Sequence, residues 1–311
     1  LFSYAQGTFN SNTASGNWAA AGSWTLTGGA DGDGIPDSND DVTILNGHII
    51  HVSDGGGAPS THEVDDITIN TGGTLRTNSG TIVRTLNVFG DLTISSGGTY
   101  TANNVGAAVH FLNIAGNFTN NGGTFTPVNG TVSLLVTFNG TTNQQINGTS
   151  ATQTFVNIIV NKTAGTTLSV AGSTTTLNVA DLTETTGNFT APATLNATGI
   201  IILTAGTYTA GANTTVGGDF TNNGGTFTHN SGTVTFNGTG AQAINGTAAS
   251  QTFNNIIVNK TVGTTLTVGG STATLNVTSL TETQGNFTAP ATLNATGTIT
   301  LTAGTYAAGA D

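Results

Sequence analysis

The chain has 311 residues, 36% of them hydrophobic and 6% charged, with a formal net charge of −11. Nucleic-acid binding depends on clustered cations that neutralise phosphates, and the four Lys and Arg residues do not cluster, so this class is excluded. The lack of Cys excludes disulfides and thiolate metal sites, and no apolar stretch is long enough for a bilayer span.

The first five residues, LFSYA, have an apolar start followed by the small-x-small pattern that precedes a signal cleavage site. We therefore interpret 1–5 as a candidate signal-peptide remnant, which indicates an extracellular protein. An ordinary first β-strand is the alternative.

Residues 6–60 differ from the rest of the chain, because they hold both tryptophans, most of an acidic cluster and two strand-like segments, 42–44 and 49–52. We predict that they form the first coils of a β-helix and an N-terminal cap. A cap is expected because the open end of a β-helix presents unpaired strand edges that template aggregation.

An acidic loop, DGDGIPDSNDD at 31–41, alternates carboxylates around a glycine turn, which brings together the hard oxygen ligands that Ca²⁺ requires. The string resembles the thrombospondin type 3 calcium repeat, although Gly29 stands where that pattern begins with Asp. The resemblance implies a stabilising Ca²⁺, and a solvated acidic turn is the alternative. The implied ligands are Asp31, Asp33, Asp37 and Asp40.

The sequence of residues 61–111 predicts further, more divergent β-helix coils. Two copies of a repeat follow at 112–213 and 214–311. The string LTETTGNFTAPATLNATG at 182–199 recurs 98 residues later with one substitution. Self-similarity of this kind is typical of stacked arrays, in which each unit buries its apolar face against its neighbours. The second copy stops in mid-pattern, so we expect the natural chain to continue with more copies.

The fold class follows from apolar residues that alternate with Thr and Asn, separated by Gly-Gly, Asn-Gly and Ala-Gly turns. A Gly-(Asn/Thr)-aromatic pattern ends at Phe189, Tyr208 and Phe227, in steps of 19. We predict an all-β fold, a parallel β-helix with coils of about 19–20 residues, and five coils in each 98-residue repeat.

Aligning the copies separates the outward positions from the inward ones. Ile200 and Ile202 align with threonines, whereas Ile201 and Leu203 align with aliphatic residues. Positions that accept Thr are expected to face solvent. Ile200 and Ile202, with Leu134 and Leu135 of a four-residue apolar insertion, are therefore a candidate contact surface. The alternative is that these side chains pack under a neighbouring loop.

Parallel β-helices also include polysaccharide lyases and glycosidases, and a glycosidase needs two carboxylates at a defined separation. Glu184 and Glu282 are equivalent positions of the two copies, which five coils would place about 24 Å apart. Lys162 and Lys260 are also equivalent to each other. Acids and bases that recur once per copy are repeat features, so we predict that the chain is not an enzyme.

Two segments resemble large secreted repeat proteins of Bacteroidota. GNWAAAGSWTLTGGADGDGIPDSNDDVTILNGHIIHV is similar to their opening, and GGTFTHNSGTVTFNGTGAQAINGTAASQTFNNIIVNKT is similar to their β-helical repeats. The resemblance implies a cell-surface or extracellular adhesin, exported by the type IX machinery through a C-terminal sorting domain. No such domain lies within these residues.

Three functional hypotheses remain. The leading one is a non-catalytic surface protein, in which a stiff β-solenoid serves as a stalk or filament subunit for adhesion or gliding, with self-association or surface glycans as partners. The second is a binding module that recognises glycan or ice through a flat face of threonines such as Thr298, Thr300 and Thr302. The third is a polysaccharide lyase or glycosidase.

Overall fold

The computed structural model describes residues 6–77, 81–102 and 108–309, which form β-strands and one 3₁₀ turn, Ala21–Ser23, with no α-helix. The candidate signal remnant at 1–5 lies outside these residues. The described chain divides into two compact units. The first contains 6–156 and 171–174, and the second contains 157–170 and 175–309.

The first unit is built from short strands whose residues alternate between buried and exposed sides. They are β1 Thr8–Ser11, β2 Gly16–Asn17, β3 Trp24–Gly28, β4 Asp41–Ile44, β5 Ile49–Val52, β6 Ser60–Val64, β7 Ile67–Ile69, β8 Thr74–Thr77, β9 Arg84–Val88, β10 Leu92–Ile94, β11 Thr99–Thr101, β12 Val109–Ile114, β13 Phe118–Asn120, β14 Thr124–Thr126, β15 Val128–Asn129, β16 Val132–Phe138, β17 Gln144–Gly148 and β18 Thr152–Thr154.

These strands form three parallel sheets. Sheet A has the order β3-β1-β4-β7-β10-β13-β17, sheet B the order β2-β5-β8-β11-β14, and sheet C the order β6-β9-β12-β16. Between β4 and β14, strands pair with those three places away, so that three strands make one coil. Two antiparallel pairs depart from the pattern, β1 with β3 and β15 with β16.

The second unit continues the same alternation. Its strands are β19 Asn157–Asn161, β20 Thr167–Val170, β21 Thr176–Val179, β22 Asp181–Thr186, β23 Asn188–Thr190, β24 Thr194–Ala197, β25 Ile201–Leu203, β26 Thr207–Thr209, β27 Asn213–Val216, β28 Phe220–Asn222, β29 Thr226–Thr228, β30 Thr233–Phe236, β31 Gln242–Gly246, β32 Ser250–Thr252, β33 Asn255–Asn259, β34 Thr265–Val268, β35 Thr274–Val277, β36 Ser279–Gln284, β37 Asn286–Thr288, β38 Thr292–Ala295, β39 Ile299–Leu301 and β40 Thr305–Ala307.

Within this unit, sheet D has the order β19-β22-β25-β28-β31-β34-β37-β40 and sheet F the order β21-β24-β27-β30-β33-β36-β39. The third side is divided between sheet E, β20-β23-β26-β29, and sheet G, β32-β35-β38. All of these pairs are parallel and three strands apart. The predicted all-β class and parallel β-helix are therefore confirmed.

Coil length varies more than the aromatic spacing predicts. The sequence separation between register partners measures the coil length. It is the same for Leu182 and Ile201 as for Ile201 and Phe220, but it is larger for Phe220 and Ile244. In the first unit, the step from Val42 to its partner Ile67 is longer still. The spacing of the aromatic pattern thus equals the length of the shortest coils only. The other coils are longer because their corners contain more residues.

The 98-residue repeat does not contain five coils. Asp181–Thr186 (β22) and its copy Ser279–Gln284 (β36) are 14 strands apart, and 14 strands at three per coil make four and two-thirds coils. The two copies therefore lie on different sheets, β22 on sheet D and β36 on sheet F. The predicted number of coils was wrong because it was obtained by dividing the 98 residues of the repeat by the length of the shortest coils.

The core lies between the sheets and contains aligned aromatic rings. Phe189, Tyr208 and Phe227 occupy one register position on sheet E, with neighbouring ring centroids 5.5 and 5.4 Å apart. The aromatic steps seen in the sequence are therefore inward positions on successive coils. Ring pairs at such distances add about 0.5–1.5 kcal/mol each beyond their buried area.

The segment before the first regular coil covers part of the core. Trp18 and Trp24 are both buried, and their rings meet edge to face with centroids 5.2 Å apart. Trp24 begins β3, which runs antiparallel to β1 at the edge of sheet A. A strand of reversed direction ends the parallel pattern at that edge, as a cap requires.

Candidate functional site

The acidic loop brings three of its four predicted ligands together. One carboxylate oxygen from each of Asp31, Asp37 and Asp40 lies within 4.8 Å of the others. Oxygens bound to one Ca²⁺ at about 2.3–2.6 Å are separated by about this distance or less, so the spacing fits the ion. Asp33 is not in this group, although it lines the same 220 Å³ depression with Asp31 and Asp37.

Hydrogen bonds hold the loop in this shape. Asp40 is buried; its Oδ1 accepts from the Gly7 backbone N–H at 2.7 Å, and its Oδ2 accepts from that of Asp37 at 2.8 Å. Burial is the main cause of the raised pKa of Asp40, and the nearby Asp37 and Asp31 carboxylates raise it further. The cluster therefore carries concentrated negative charge that a cation would neutralise.

The candidate contact surface is only partly on the surface. Ile200 is 37% exposed, and Ile202 and Leu135 are half-buried with side chains on the outward side of their strands. Leu134 is fully buried, so its assignment to a contact surface was wrong. The insertion lengthens β16 and adds β15, and its alternation directs Leu134 into the core.

The inward and outward assignment is confirmed where coils stack on both sides. Ile201 and Leu203 are fully buried between their neighbours on sheet D. In the second copy, Ile299 and Leu301 keep the equivalent register on β39 but are 44% and 55% exposed, because no further described coil covers them.

The two repeat-equivalent glutamates point inward. Glu184 is completely buried, and neither of its carboxylate oxygens has a hydrogen-bond partner among the described residues. Burial raises the pKa of Glu184 to about 8 and also raises the pKa of Glu282, which is 1% exposed. A carboxyl in this environment is stable in its protonated form and has no access to a dissolved substrate.

Lys260 belongs to a buried hydrogen-bond network that sequence reasoning missed. Its Nζ donates to the backbone oxygens of Gly238 and Gly240, at 3.1 and 2.9 Å, and to Gln242 Oε1 at 2.6 Å. Burial lowers the pKa of both Lys260 and the equivalent Lys162 to about 8. The three acceptors match the three protons of the ammonium group, so Lys260 has a structural role here.

Gln242 completes this network by tying the corners of neighbouring coils together. Its Oε1 also accepts from the Gly238 N–H at 2.8 Å, while its Nε2 donates to the oxygens of Val216 at 2.9 Å and Gly218 at 2.5 Å. The recurrence of FNG with a Gln a few positions later, at 138–144 and 236–242, is the sequence signal that could have identified it.

Arg84 forms a second buried network, in the first unit and outside the repeat. Its Nη1 donates to Asp54 Oδ1 at 3.2 Å and Ser60 Oγ at 2.8 Å, and its Nη2 donates to the Gly56 oxygen at 2.9 Å. The guanidinium is 1% exposed and holds the glycine-rich segment 54–60 by its backbone. In the sequence, Arg84 is one of four cations that do not cluster, and nothing there indicates this network.

Two histidines lie beside this guanidinium. Ser60 Oγ is 3.1 Å from His62 Nε2, and His110 Nδ1 accepts from the Arg84 backbone N–H at 3.1 Å. Burial is the main cause that lowers the pKa of each histidine to about 4, and the Arg84 charge lowers both further. Both rings are therefore neutral at pH 7, which matches a structural network.

A ladder of corner side chains joins successive coils of the first unit. Asp66 Oδ1 accepts from the Asp91 N–H at 2.5 Å, Asp91 Oδ1 from the Asn117 N–H at 2.6 Å, and Asn117 Oδ1 from the Gln145 N–H at 2.9 Å. Each side chain thus satisfies a backbone donor of the next coil. Asp66 and Asp91 therefore belong to the scaffold.

The first unit also carries an open groove where β9, β12 and β16 end. It has a volume of 570 Å³ and is lined by amides, hydroxyls and one exposed aromatic ring. No charged side chain is among its described lining residues. The polar lining residues are Asn87, Asn113, Asn139, Thr141 and Thr142, and the ring is that of Phe89.

Comparisons with protein-family models, curated proteins and solved structures gave no match to this chain. No helix among the described residues is long and apolar enough to cross a membrane. The geometry of the chain itself is therefore the basis for a functional proposal.

Proposed function

We propose that the chain is a non-catalytic extracellular protein of the cell surface, in which a stiff β-solenoid serves as an adhesive stalk or filament subunit. The main supporting observation is the parallel pairing of successive coils in sheets D and F. Side-chain hydrogen bonds reinforce it, between strands at Asn196 and Asn178 and at a corner between the Ile200 N–H and Asp181. Continuous backbone ladders resist extension because a local stretch must break several hydrogen bonds together.

The placement of the acids supports a non-catalytic role. A glycosidase needs two carboxylates that face one substrate across a short gap. Glu184 and Glu282 are instead buried and lie on different sheets. Assays with a panel of polysaccharides should release no new reducing ends and no unsaturated uronates.

Single-molecule extension tests the mechanical role. With handles at both ends of the chain, we expect resistance followed by unfolding steps that correspond to whole coils. One of the longer coils should release roughly 80 Å of chain when it is fully extended. Smooth extension at low force, without such steps, would contradict a load-bearing stalk.

We also propose that Ca²⁺ stabilises the acidic loop, with Asp31, Asp37 and Asp40 as carboxylate ligands and Asp33 beside them. The 4.8 Å clustering of the three oxygens supports this. Thermal unfolding with Ca²⁺, and with Mg²⁺ for comparison, tests it. Ca²⁺ should raise the Tm of the chain and have no effect on the D31N/D37N variant, whereas an unchanged Tm of the unmodified chain would exclude the site.

A binding role for a flat threonine face has weaker support. The outward column on sheet D reads Thr183, Ile202, Thr221, because these residues are register partners. Ile202 interrupts the hydroxyl pattern that a flat glycan or ice surface would need. The groove of the first unit is the better candidate for glycan recognition.

A further inference from the structure

The groove of the first unit is lined by an amide ladder. Asn113 Nδ2 donates to Asn87 Oδ1 at 2.9 Å, and Asn87 Nδ2 donates to Glu63 Oε1 at 3.3 Å. An asparagine amide has two N–H donors and an oxygen that accepts two hydrogen bonds. Because each ladder bond uses one N–H, the half-buried Asn87 and Asn113 still offer donors and acceptors to the groove.

Apolar side chains lie along the ladder. Phe89 is 48% exposed on the groove wall. On the same outward side, Phe111 is 37% exposed and is the register partner of Leu135, next to the register pair Asn113 and Thr137. The groove thus combines an aromatic ring with a row of amides, and the apolar pair Phe111 and Leu135 lies next to it on the same outward side.

This combination is absent from the corresponding ladder of the second unit. There Asn196 Nδ2 donates to Asn178 Oδ1 at 2.9 Å, with the same geometry as the Asn113–Asn87 bond. The residue after each described strand of this stretch of sheet F is small or polar, as at Thr198 and Gly217. The exposed ring therefore does not follow from the repeat, and scaffold stability alone does not require it.

We propose that this groove binds a neutral polysaccharide chain. The Asn87 and Asn113 amides would pair with vicinal sugar hydroxyls, and Phe89 would pack against the C–H face of a pyranose ring, since the ring face is electron-rich. Strand spacing of about 4.8 Å repeats the polar groups along the stack, as an extended polymer requires. The proposal rests on the proposed adhesive function and names its ligand class.

The charge of the molecule selects a neutral ligand. The described lining residues carry no cation to pair with a uronate, sulfate or phosphate, and the net charge of −11 repels polyanions. Neutral amides and hydroxyls match a hydroxyl-rich partner, and Phe89 would cover one of its C–H faces.

Affinity electrophoresis of the full chain tests this site, with soluble β-glucan, xylan and mannan as neutral probes and polygalacturonate as the acidic one. At least one neutral polysaccharide should retard the chain, and polygalacturonate should not. The F89A variant should bind about tenfold more weakly, as expected for truncating an aromatic anchor. The F89Y variant keeps a ring and should bind normally.

The matched control is N196A, which removes an amide from the ladder without an aromatic neighbour. We expect N113A to weaken binding and N196A to leave it unchanged. Retardation by none of the neutral probes, retardation by polygalacturonate alone, or equal binding of F89A and the unmodified chain would overturn the site. Each of these results would leave stepwise unfolding under force intact, so failure of the groove is distinguishable from failure of the stalk.

Discussion

Glu184 and Glu282 occupy the same position in two copies of the repeat, yet Glu184 lies on sheet D and Glu282 lies on sheet F. The two positions are 14 strands apart, and 14 strands at three per coil make four full coils and two-thirds of a fifth. A side chain placed once per copy therefore moves to another side of the solenoid with each copy. The outward residues of near-identical copies therefore do not form one column along the solenoid. This limits lateral association through a single repeated face.

Glu184→Gln should flatten the pH dependence of unfolding. The folded pKa of Glu184, about 8, is above its ordinary value of 4.5, so its stabilisation is complete below pH 4.5 and is lost as pH rises to about 8. The loss is on the order of 5 kcal/mol, and urea unfolding across this range measures it. Glu63→Gln, at an exposed carboxyl, is the control, and an unchanged slope in Glu184→Gln would contradict the assignment.

Gln242→Leu should lower the unfolding free energy by roughly 3 kcal/mol, because it leaves buried carbonyl oxygens and the Lys260 ammonium with fewer partners. The exposed Gln284 provides the matched control, and Gln284→Leu should change stability by less than about 0.5 kcal/mol. Chemical unfolding of both variants gives the comparison. Equal stabilities would show that the Gln242 network does not hold the corners.

Arg84→Met should loosen the segment 54–60. The Asp54 side chain is 36% exposed, so the ion pair itself adds little, and the main loss is the buried guanidinium's hydrogen bonds to the backbone oxygens of Gly56 and Ala58. We expect about 2–4 kcal/mol of destabilisation and faster proteolysis within this segment. Arg76→Met, at a half-buried cation, should show neither effect. Proteolysis at the rate of the unmodified chain would refute the role of Arg84.

Gly199→Ala should destabilise a corner of the second unit. A Cβ at Gly199 would lie 2.1 Å from Asp181 Oδ1, which accepts a hydrogen bond from the Ile200 N–H at 2.8 Å. We expect a loss of about 1–3 kcal/mol by thermal unfolding. Adding Asp181→Ala removes the closest contact and leaves the Ala180 backbone oxygen at 3.0 Å, so Gly199→Ala should cost much less stability in the Asp181→Ala background than in the unmodified chain. Gly269→Ala, where no atom lies within 4 Å, is the control.

The fold class was predictable because alternation and repetition are local properties of the sequence. Comparing the copies also separated Ile201 from Ile202 correctly, since a position that tolerates Thr need not be buried. The number of coils was not predictable in the same way. Corners of different length, as between Phe220 and Ile244, change the coil without changing the strand pattern.

The buried charges were the least predictable part of the candidate sites. Lys, Arg and Glu are almost never fully buried unless they are paired, so the sequence alone leads to the expectation that these side chains are exposed. Arg84 and Lys260 can be buried because backbone oxygens that are distant in sequence accept hydrogen bonds from them. These contacts depend on coil stacking. The clustering of carboxylates in the acidic loop was easier to predict, because these residues are close together in sequence.

The most direct test of a stalk whose repeat number sets its reach is the length of a variant with one more copy. Inserting a further 214–311 segment after residue 213 adds 14 strands. Electron microscopy should then show a particle longer by about 22 Å, which is four and two-thirds strand spacings, with unchanged width. A particle that becomes wider and not longer would contradict a role in which the repeat works by length.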